Sequence, residues 1–202
     1  MDYFIYFLLI LMSYLYGSIP FALVIGKLFY HTDIRNQGSG NLGGTNAGRV
    51  LGKTAGIVVI ILDASKCSLS IFIARIIAES FSLDPNIIYL CAMACVIGHC
   101  YPIFAGFKGG KAVSVAIGYA LMVNFWAGIG GLTIFFITLK ITKYVSLSSV
   151  LGSSSVLLAS PWLGLPPIGI VANVVIIGLL IYKHKENLIR IKEGTERKIT
   201  WM

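Results

Sequence analysis

Three stretches of this chain carry residue types able to bind negative charge and move a proton. The first, residues 33–56, reads DIRNQGSGNLGGTNAGRVLGKTAG and is glycine-dense, polar and basic. Gly38, Gly40 and Gly43 alternate with Ser39, Asn41, Thr45 and Asn46, and Arg35, Arg49 and Lys53 supply positive charge. Glycines let successive N–H groups converge on an anion that nearby cations neutralise. The second, residues 98–111, reads GHCYPIFAGFKGGK and places His99, Lys108, Gly109, Gly110 and Lys111 just before an apolar segment. A helix N-terminus beside glycine and lysine favours an anion through its unsatisfied N–H groups and its dipole. The third, residues 184–198, reads HKENLIRIKEGTERK. His184, Asn187 and Ile191 share a helical face continuing from the apolar segment before them, so a base and a fixing hydrogen bond could meet one ligand. Each stretch also has a plainer reading: a flexible tether, a glycine turn with a basic anchor, and a solvated helix touching anionic headgroups.

Two nucleotide signatures nearly fit the first stretch and fail on context. Gly38-Ser39-Gly40-Asn41-Leu42-Gly43 spells GxGxxG, with Asp63 at roughly the right distance beyond it. That fingerprint needs a strand before it, whereas both flanks here are apolar runs of membrane length. Gly48 to Thr54 is one residue short of GxxxxGK[ST], and loop length decides where the amides point.

Composition sets the class of protein that must position these stretches. Of 202 residues, 57% are hydrophobic and 12% charged, and the mean hydropathy is +0.86. Soluble domains carry about 25% charged residues. Apolar runs of this length cross a hydrocarbon core of roughly 30 Å as helices. A net charge of +8 in such a chain is read first as topology, and no nucleic-acid partner is expected. The N-terminal segment lacks the basic start of a cleavable signal and reads as a retained span. Cys67, Cys91, Cys95 and Cys100 have no zinc-site spacing and read as small packing residues.

Apolar segments run over residues 3–28, 54–80, 86–103, 112–123, 125–139, 145–160 and 165–182. Gly17-Ser18-Ile19-Pro20 interrupts the first and predicts a kink there. Segments 112–123 and 125–139 are short enough to be one tilted span or two tight ones. With two, every Lys and Arg except Lys66 and Arg75 falls on one side, which the positive-inside rule makes cytoplasmic. With one, Lys140, Lys143 and the whole basic tail would lie outside. The expectation is therefore an all-α integral membrane protein, a seven-helix bundle forming one domain over residues 1–202, N-terminus outside and C-terminus cytoplasmic. All three polar stretches then share the cytoplasmic face, and one common site is the economical reading.

Within the spans, Asp63 and Lys66 lie at i, i+3, so they either pair structurally or face a substrate cavity. Arg75 and Glu79 read as snorkelling near the outer end. Ser146, Ser148 and Ser149 open the sixth span, where they either cap the helix or donate to a ligand, capping being favoured.

Taken together, GSIPFA (17–22), SGNLGGTNAGR (39–49), GHCYPIFAGFKGGK (98–111) and HKENLIRIKEGTERK (184–198) resemble the bacterial acyl-phosphate:glycerol-3-phosphate acyltransferases, the PlsY family. The resemblance runs along essentially the whole chain in order. It implies seven membrane helices in the bacterial inner membrane and transfer of a fatty acyl group from acyl phosphate to the 1-hydroxyl of glycerol 3-phosphate. The products would be lysophosphatidic acid and phosphate, in the first acylation of phospholipid biosynthesis, with no metal, cofactor or acyl-CoA. By the same resemblance Ser39, Arg49, Lys111, His184 and Asn187 are catalytic. Gly38, Gly40, Asn41, Gly43, Thr45, Asn46, His99, Lys108, Gly109, Gly110, Ser149 and Arg190 bind substrate, and Asp63, Lys66 and Glu196 support the site. The expected partners are the two substrates and membrane lipids, and the expected state is a monomer. Gly44 stands where the family usually has Ala, Ala112 where it usually has Gly, and Cys67 replaces a Gly. Loop conformation and rate are where these departures would tell.

Two anionic substrates explain the many cations. Acyl phosphate is already activated, so no covalent intermediate is required. The HxxxxD pair of other acyltransferases is absent: five residues beyond His31, His99 and His184 stand Asn36, Phe104 and Ile189. Direct attack is the expectation, with either His184 or a substrate phosphate oxygen taking the hydroxyl proton. Two competing classes are an organic-anion transporter, which would need midplane ion-pathway residues and broken helices in repeats, and a non-catalytic partner of lipid enzymes, which would show no activity when purified.

Overall fold

The computed structural model describes residues 2–199, and among these no strand occurs. The helices are α1 (Asp2–Gly17), α2 (Phe21–Tyr30), α3 (Gly44–Leu51), α4 (Lys53–Ser80), α5 (Ile87–Cys100), α6 (Val113–Val123), α7 (Phe125–Thr142), α8 (Val145–Ala159), α9 (Pro167–Lys183) and α10 (Lys185–Lys192). By length and composition α4, α7 and the stretch Ile87–Ala105 can each cross a membrane. The pair α1–α2 is bent by 43° and the pair α9–α10 by 49°, and α6 is a shorter apolar helix.

The break after Gly17 falls where the Gly-Ser-Ile-Pro run predicts it. The buried Ser18 hydroxyl donates to the Tyr14 carbonyl at 2.8 Å, so the opened turn keeps its backbone partnered. Segments 112–123 and 125–139 are two helices, divided at Asn124. That residue is extended (φ −149°, ψ 103°), and its side chain accepts the Ala127 N–H at 3.0 Å, capping α7. In one straight helix residues 121 and 128 would lie about 10 Å apart along the axis. A Cβ on Gly128 would instead sit 3.0 Å from the Leu121 nitrogen, so the chain reverses direction.

The chain forms two compact units, Met1–Tyr119 and Ala120–Met202. In the first, α1 and α5 approach until their backbones touch: a Cβ on Gly17 would lie 2.2 Å from the Cys95 carbonyl oxygen. In the second, α7 meets α8 through Gly131 and Gly152. Small residues inside and bulky ones outside suit helices packed in lipid, where close backbone approach replaces the hydrophobic drive. On α4, Cys67, Ala74 and Ala78 are buried while Ile61, Phe72 and Ile73 are exposed. All four cysteines are buried and unbridged, matching their reading as packing residues.

Candidate active site

The first glycine-rich loop is laced to one buried side chain. Asn46, on the first turn of α3, accepts the Ser39 N–H at 2.8 Å through Oδ1. Its Nδ2 donates to the carbonyls of Ile34 and Gln37, each at 3.2 Å. Gly38 has φ +64°, and a Cβ there would fall 2.3 Å from Asn46 Oδ1, so both conformation and space demand glycine. Asn46 is therefore given over to holding the loop that carries Ser39. Asn46→Asp keeps the shape but turns two donors into acceptors facing carbonyls. It is expected to lower stability by about 2–4 kcal/mol, roughly the sum of the lost bonds and the unpaired acceptors, read as thermal unfolding in detergent.

The two arginines of this loop differ. Arg35 forms a fork with Asp33, Nε lying 2.9 Å from Oδ1, and Lys27 approaches the same carboxylate at 3.7 Å. The Arg35 hydrogen bond holds the Asp33 carboxyl far below the usual carboxylate range. Arg49, exposed in the last turn of α3, makes no ion pair among the described residues, and Thr45 is exposed one turn before it on the same face. Arg49 is thus the arginine of the loop with its guanidinium available to an anion, and the exposed Ser39 lies on the laced segment.

The second loop meets the first. Asn41 Nδ2 donates to the Gly109 carbonyl at 3.2 Å, while Asn41 Oδ1 accepts the Gly43 N–H at 3.0 Å. The Gly110 N–H donates to the His99 carbonyl at 3.0 Å, and the His99 ring fills the space where a Gly110 side chain would stand. Gly109 is crowded by backbone as well, since a Cβ there would lie 2.1 Å from the His99 carbonyl oxygen and 2.5 Å from Pro102 Cδ. Lys108 is exposed beside these glycines, and Lys111 leads into Ala112 and α6. Ala112 has φ +67°, the left-handed region that costs a residue with a Cβ about 1–2 kcal/mol. The departure from glycine noted at this position is thus stored as backbone strain next to Lys111.

Beneath this loop, Asp63 and Lys66 form an ion pair at 2.7 Å, both 1% exposed. His99 Nδ1 lies 3.7 Å from Asp63 Oδ1, and the Lys66 ammonium stands 4.7 Å from the centre of the Phe21 ring. A small cleft with room for about one water molecule is lined by Pro20, Leu42, Lys66, His99, Gly109 and Gly110 among others.

The second unit carries its own polar cluster. His184, buried, sits at the bend between α9 and α10 with Nδ1 2.8 Å from the Leu180 carbonyl oxygen. A carbonyl only accepts, so Nδ1 carries the proton, and in the neutral ring the lone pair belongs to Nε2. Glu196 gathers the rest. Its Oε1 accepts from Asn187 Nδ2 at 2.6 Å and from the Ser146 hydroxyl at 2.8 Å, and its Oε2 from Arg190 Nε at 2.8 Å. Burial pushes the Glu196 carboxyl up, but the hydrogen bonds from Asn187, Ser146 and Arg190 outweigh it and leave it below the ordinary glutamate range. A lowered folded value means this stability is present above the unfolded value and is lost as pH falls through the folded one. The protection factors of amides 187–196, with the intrinsic exchange rate divided out, are therefore expected to stay high at neutral pH and to fall on acidification below the ordinary glutamate range. Glu196→Gln should flatten that dependence.

Two expectations are corrected here. The helix does not continue through His184, because α9 and α10 meet at a 49° bend there and Asn187 turns its amide to Glu196. Nor do the serines cap α8. Tyr144 is its N-cap residue, Ser146 donates to Glu196, and Ser148 and Ser149 donate to the carbonyls of Tyr144 and Val145 one turn back. Lying inside the helix and not at its cap, the hydroxyls of Ser148 and Ser149 find the i−4 carbonyls closer than any open N–H. The Asp63–Lys66 pairing is met. The bridge from Asn41 to Gly109 joins residues 68 apart and has no signal in either loop alone.

With no strand among the described residues, three helical stretches long and apolar enough to cross a membrane, and two cationic glycine-rich loops, the chain is an integral membrane protein. The family model described as glycerol-3-phosphate acyltransferase matches residues 7–194. A glycerol-3-phosphate acyltransferase of Listeria monocytogenes is 43% identical over 197 residues, covering 96% of this chain and 97% of the relative. One of Bacillus cytotoxicus is 46% identical over 199 residues, covering 96% of each. Two crystal structures of PlsY (YgiH), an integral membrane glycerol 3-phosphate acyltransferase, superpose closely. The glycerol 3-phosphate form has a TM-score of 0.89 at 37% identity, covering 96% of each chain. The lysophosphatidic acid form has a TM-score of 0.87 at 36% identity, covering 96% of this chain and 95% of that one. The chain belongs to the PlsY family of glycerol-3-phosphate acyltransferases.

Proposed function

We propose that this protein transfers a fatty acyl group from acyl phosphate to the 1-hydroxyl of glycerol 3-phosphate, giving lysophosphatidic acid and phosphate. The observation that carries this reading is the Asn41–Gly109 hydrogen bond, which ties two cationic glycine loops into one wall suited to phosphate. The relatives' glycerol 3-phosphate and lysophosphatidic acid forms support the substrate and product.

Arg49, Lys111, Lys108 and the loop amides around Gly38, Gly40, Gly43, Gly109 and Gly110 bind phosphate and stabilise charge on the acyl oxygen. Ser39 and Thr45 add hydroxyl donors. The glycerol hydroxyl attacks the acyl carbon, the bond from that carbon to the phosphate oxygen breaks, and phosphate leaves with the electron pair. The hydroxyl proton passes to His184 Nε2 or to the departing phosphate. Asn187, Arg190 and Ser149 bind substrate, and Glu196 fixes Asn187 and Arg190 through its two carboxylate oxygens.

The chain works as one domain and as a monomer in the bacterial inner membrane. It spans the membrane seven times, with its N-terminus outside and its C-terminus and reactive loops in the cytoplasm. The placement of nearly all cations on the inner loops supports that orientation. The test is a donor comparison with purified protein and labelled glycerol 3-phosphate: product is expected from acyl phosphate, and none from acyl-CoA.

A further inference from the structure

The buried pair beneath the second loop has no task in the reaction as described. Two unit charges in an apolar helix are costly, and an apolar pair of similar volume generally packs as well or better. Stability is therefore a weak reason for this chain to keep Asp63 and Lys66 at 1% exposure. Their surroundings give another. Asp63 Oδ1 takes the Lys66 ammonium at 2.7 Å and lies 3.7 Å from His99 Nδ1, while Asp63 Oδ2 has no hydrogen-bond partner among the described residues. His99 in turn is the template of the loop: its carbonyl takes the Gly110 N–H, its ring occupies the place of a Gly110 side chain, and Gly109 backs onto its carbonyl. The Lys66 ammonium, steadied against Phe21, lines the one-water cleft that also touches Gly109 and Gly110.

We propose that Asp63 and Lys66 are positioning residues for acyl transfer: their buried charges hold the His99 ring in register and thereby set the Gly109–Lys111 anion loop. Asp63 orients the imidazole through its carboxylate, and Lys66 fixes that carboxylate and biases the cleft behind the loop toward negative charge. This role rests on the acyl-transfer reading above.

The test is the double variant Asp63→Leu with Lys66→Met, which removes both charges and leaves neither unpaired. Its thermal unfolding in detergent, its kcat and its KM for acyl phosphate are measured against wild type. A fold retained near the wild-type unfolding temperature, with kcat/KM for acyl phosphate lowered about tenfold to a hundredfold, is the expected result, since a shift of about 1 Å at a substrate-positioning group has that effect. Partial recovery is expected in Lys66→Arg with Asp63 intact. A double variant that folds and turns over like wild type overturns the proposal, because a pair needed only for packing would behave in that way. Should the double variant not fold, Asp63→Asn and Lys66→Arg carry the test singly: folded protein with reduced kcat/KM supports the role, and unchanged kcat/KM refutes it. Inactive wild-type protein would refute the acyl-transfer reading alone. The His99 ring nitrogen signals, recorded without substrate, would then decide: a change between wild type and variant supports the pair's hold on the ring, and identical signals refute it.

Discussion

Arg49→Ala is expected to lower lysophosphatidic acid formation by about 10²–10³-fold, the usual cost of removing one donor aimed at developing charge. Insertion and unfolding temperature should stay near those of wild type, because Arg49 is exposed and holds no ion pair among the described residues. Arg35→Ala is the informative contrast. That guanidinium is engaged by Asp33, so its loss should disturb the short Ile34–Asn36 turn and change turnover far less. Arg49→Lys should recover only part of the rate, since an ammonium cannot present the paired donors of a guanidinium. His184→Ala is expected to match Arg49→Ala in turnover and to leave insertion intact. Radiolabelled product formation in membranes, normalised to protein quantified by immunoblot, checks the whole set. Wild-type turnover in Arg49→Ala would remove Arg49 from the site.

Gly109→Ala is expected to be as damaging to activity and more damaging to the fold. The added methyl would lie 2.1 Å from the His99 carbonyl oxygen and 3.0 Å from the Cys100 carbonyl carbon, both backbone atoms, so no side chain can rotate away. Overpacking of this kind costs about 1–3 kcal/mol, and relieving it must move the loop. A displacement of about 1 Å at a positioning segment accounts for roughly a hundredfold in rate. Gly106→Ala is the control on the same stretch. Its φ of +62° disfavours a side chain, but nothing lies within 4 Å of the added methyl, so it should be strained without displacing Gly109. Activity and unfolding temperature measured on both variants separate steric displacement from backbone strain.

Much of the fold was legible because lipid imposes a simple rule: backbone groups must be satisfied within the segment, so helices of a certain length follow from apolar runs. The kink at Gly17–Pro20 and the division at Asn124 were readable from local chemistry and from the sidedness of charge. The candidate site was legible as stretches and not as contacts. That Asn46 laces its loop, and that Asn41 reaches Gly109, depends on which backbone groups a fold leaves open, and residue type alone cannot say which. Arg35 and Arg49 look alike along the chain and are separated by the single neighbour Asp33. The serines opening α8 were misread because hydroxyls inside a helix and at its cap use the same residue types, and these stand two to five positions past the cap residue Tyr144. Ala112 shows the converse: a departure of one methyl group, visible in the sequence, became meaningful once its φ of +67° was known.

Direct transfer from acyl phosphate is tested by following both products in one reaction of the purified protein. With acyl phosphate and labelled glycerol 3-phosphate, phosphate and lysophosphatidic acid should appear one for one, and phosphate release should stop when glycerol 3-phosphate is withheld. Phosphate released without glycerol 3-phosphate while the acyl group stays on the protein, or product formed equally well from acyl-CoA, would contradict it.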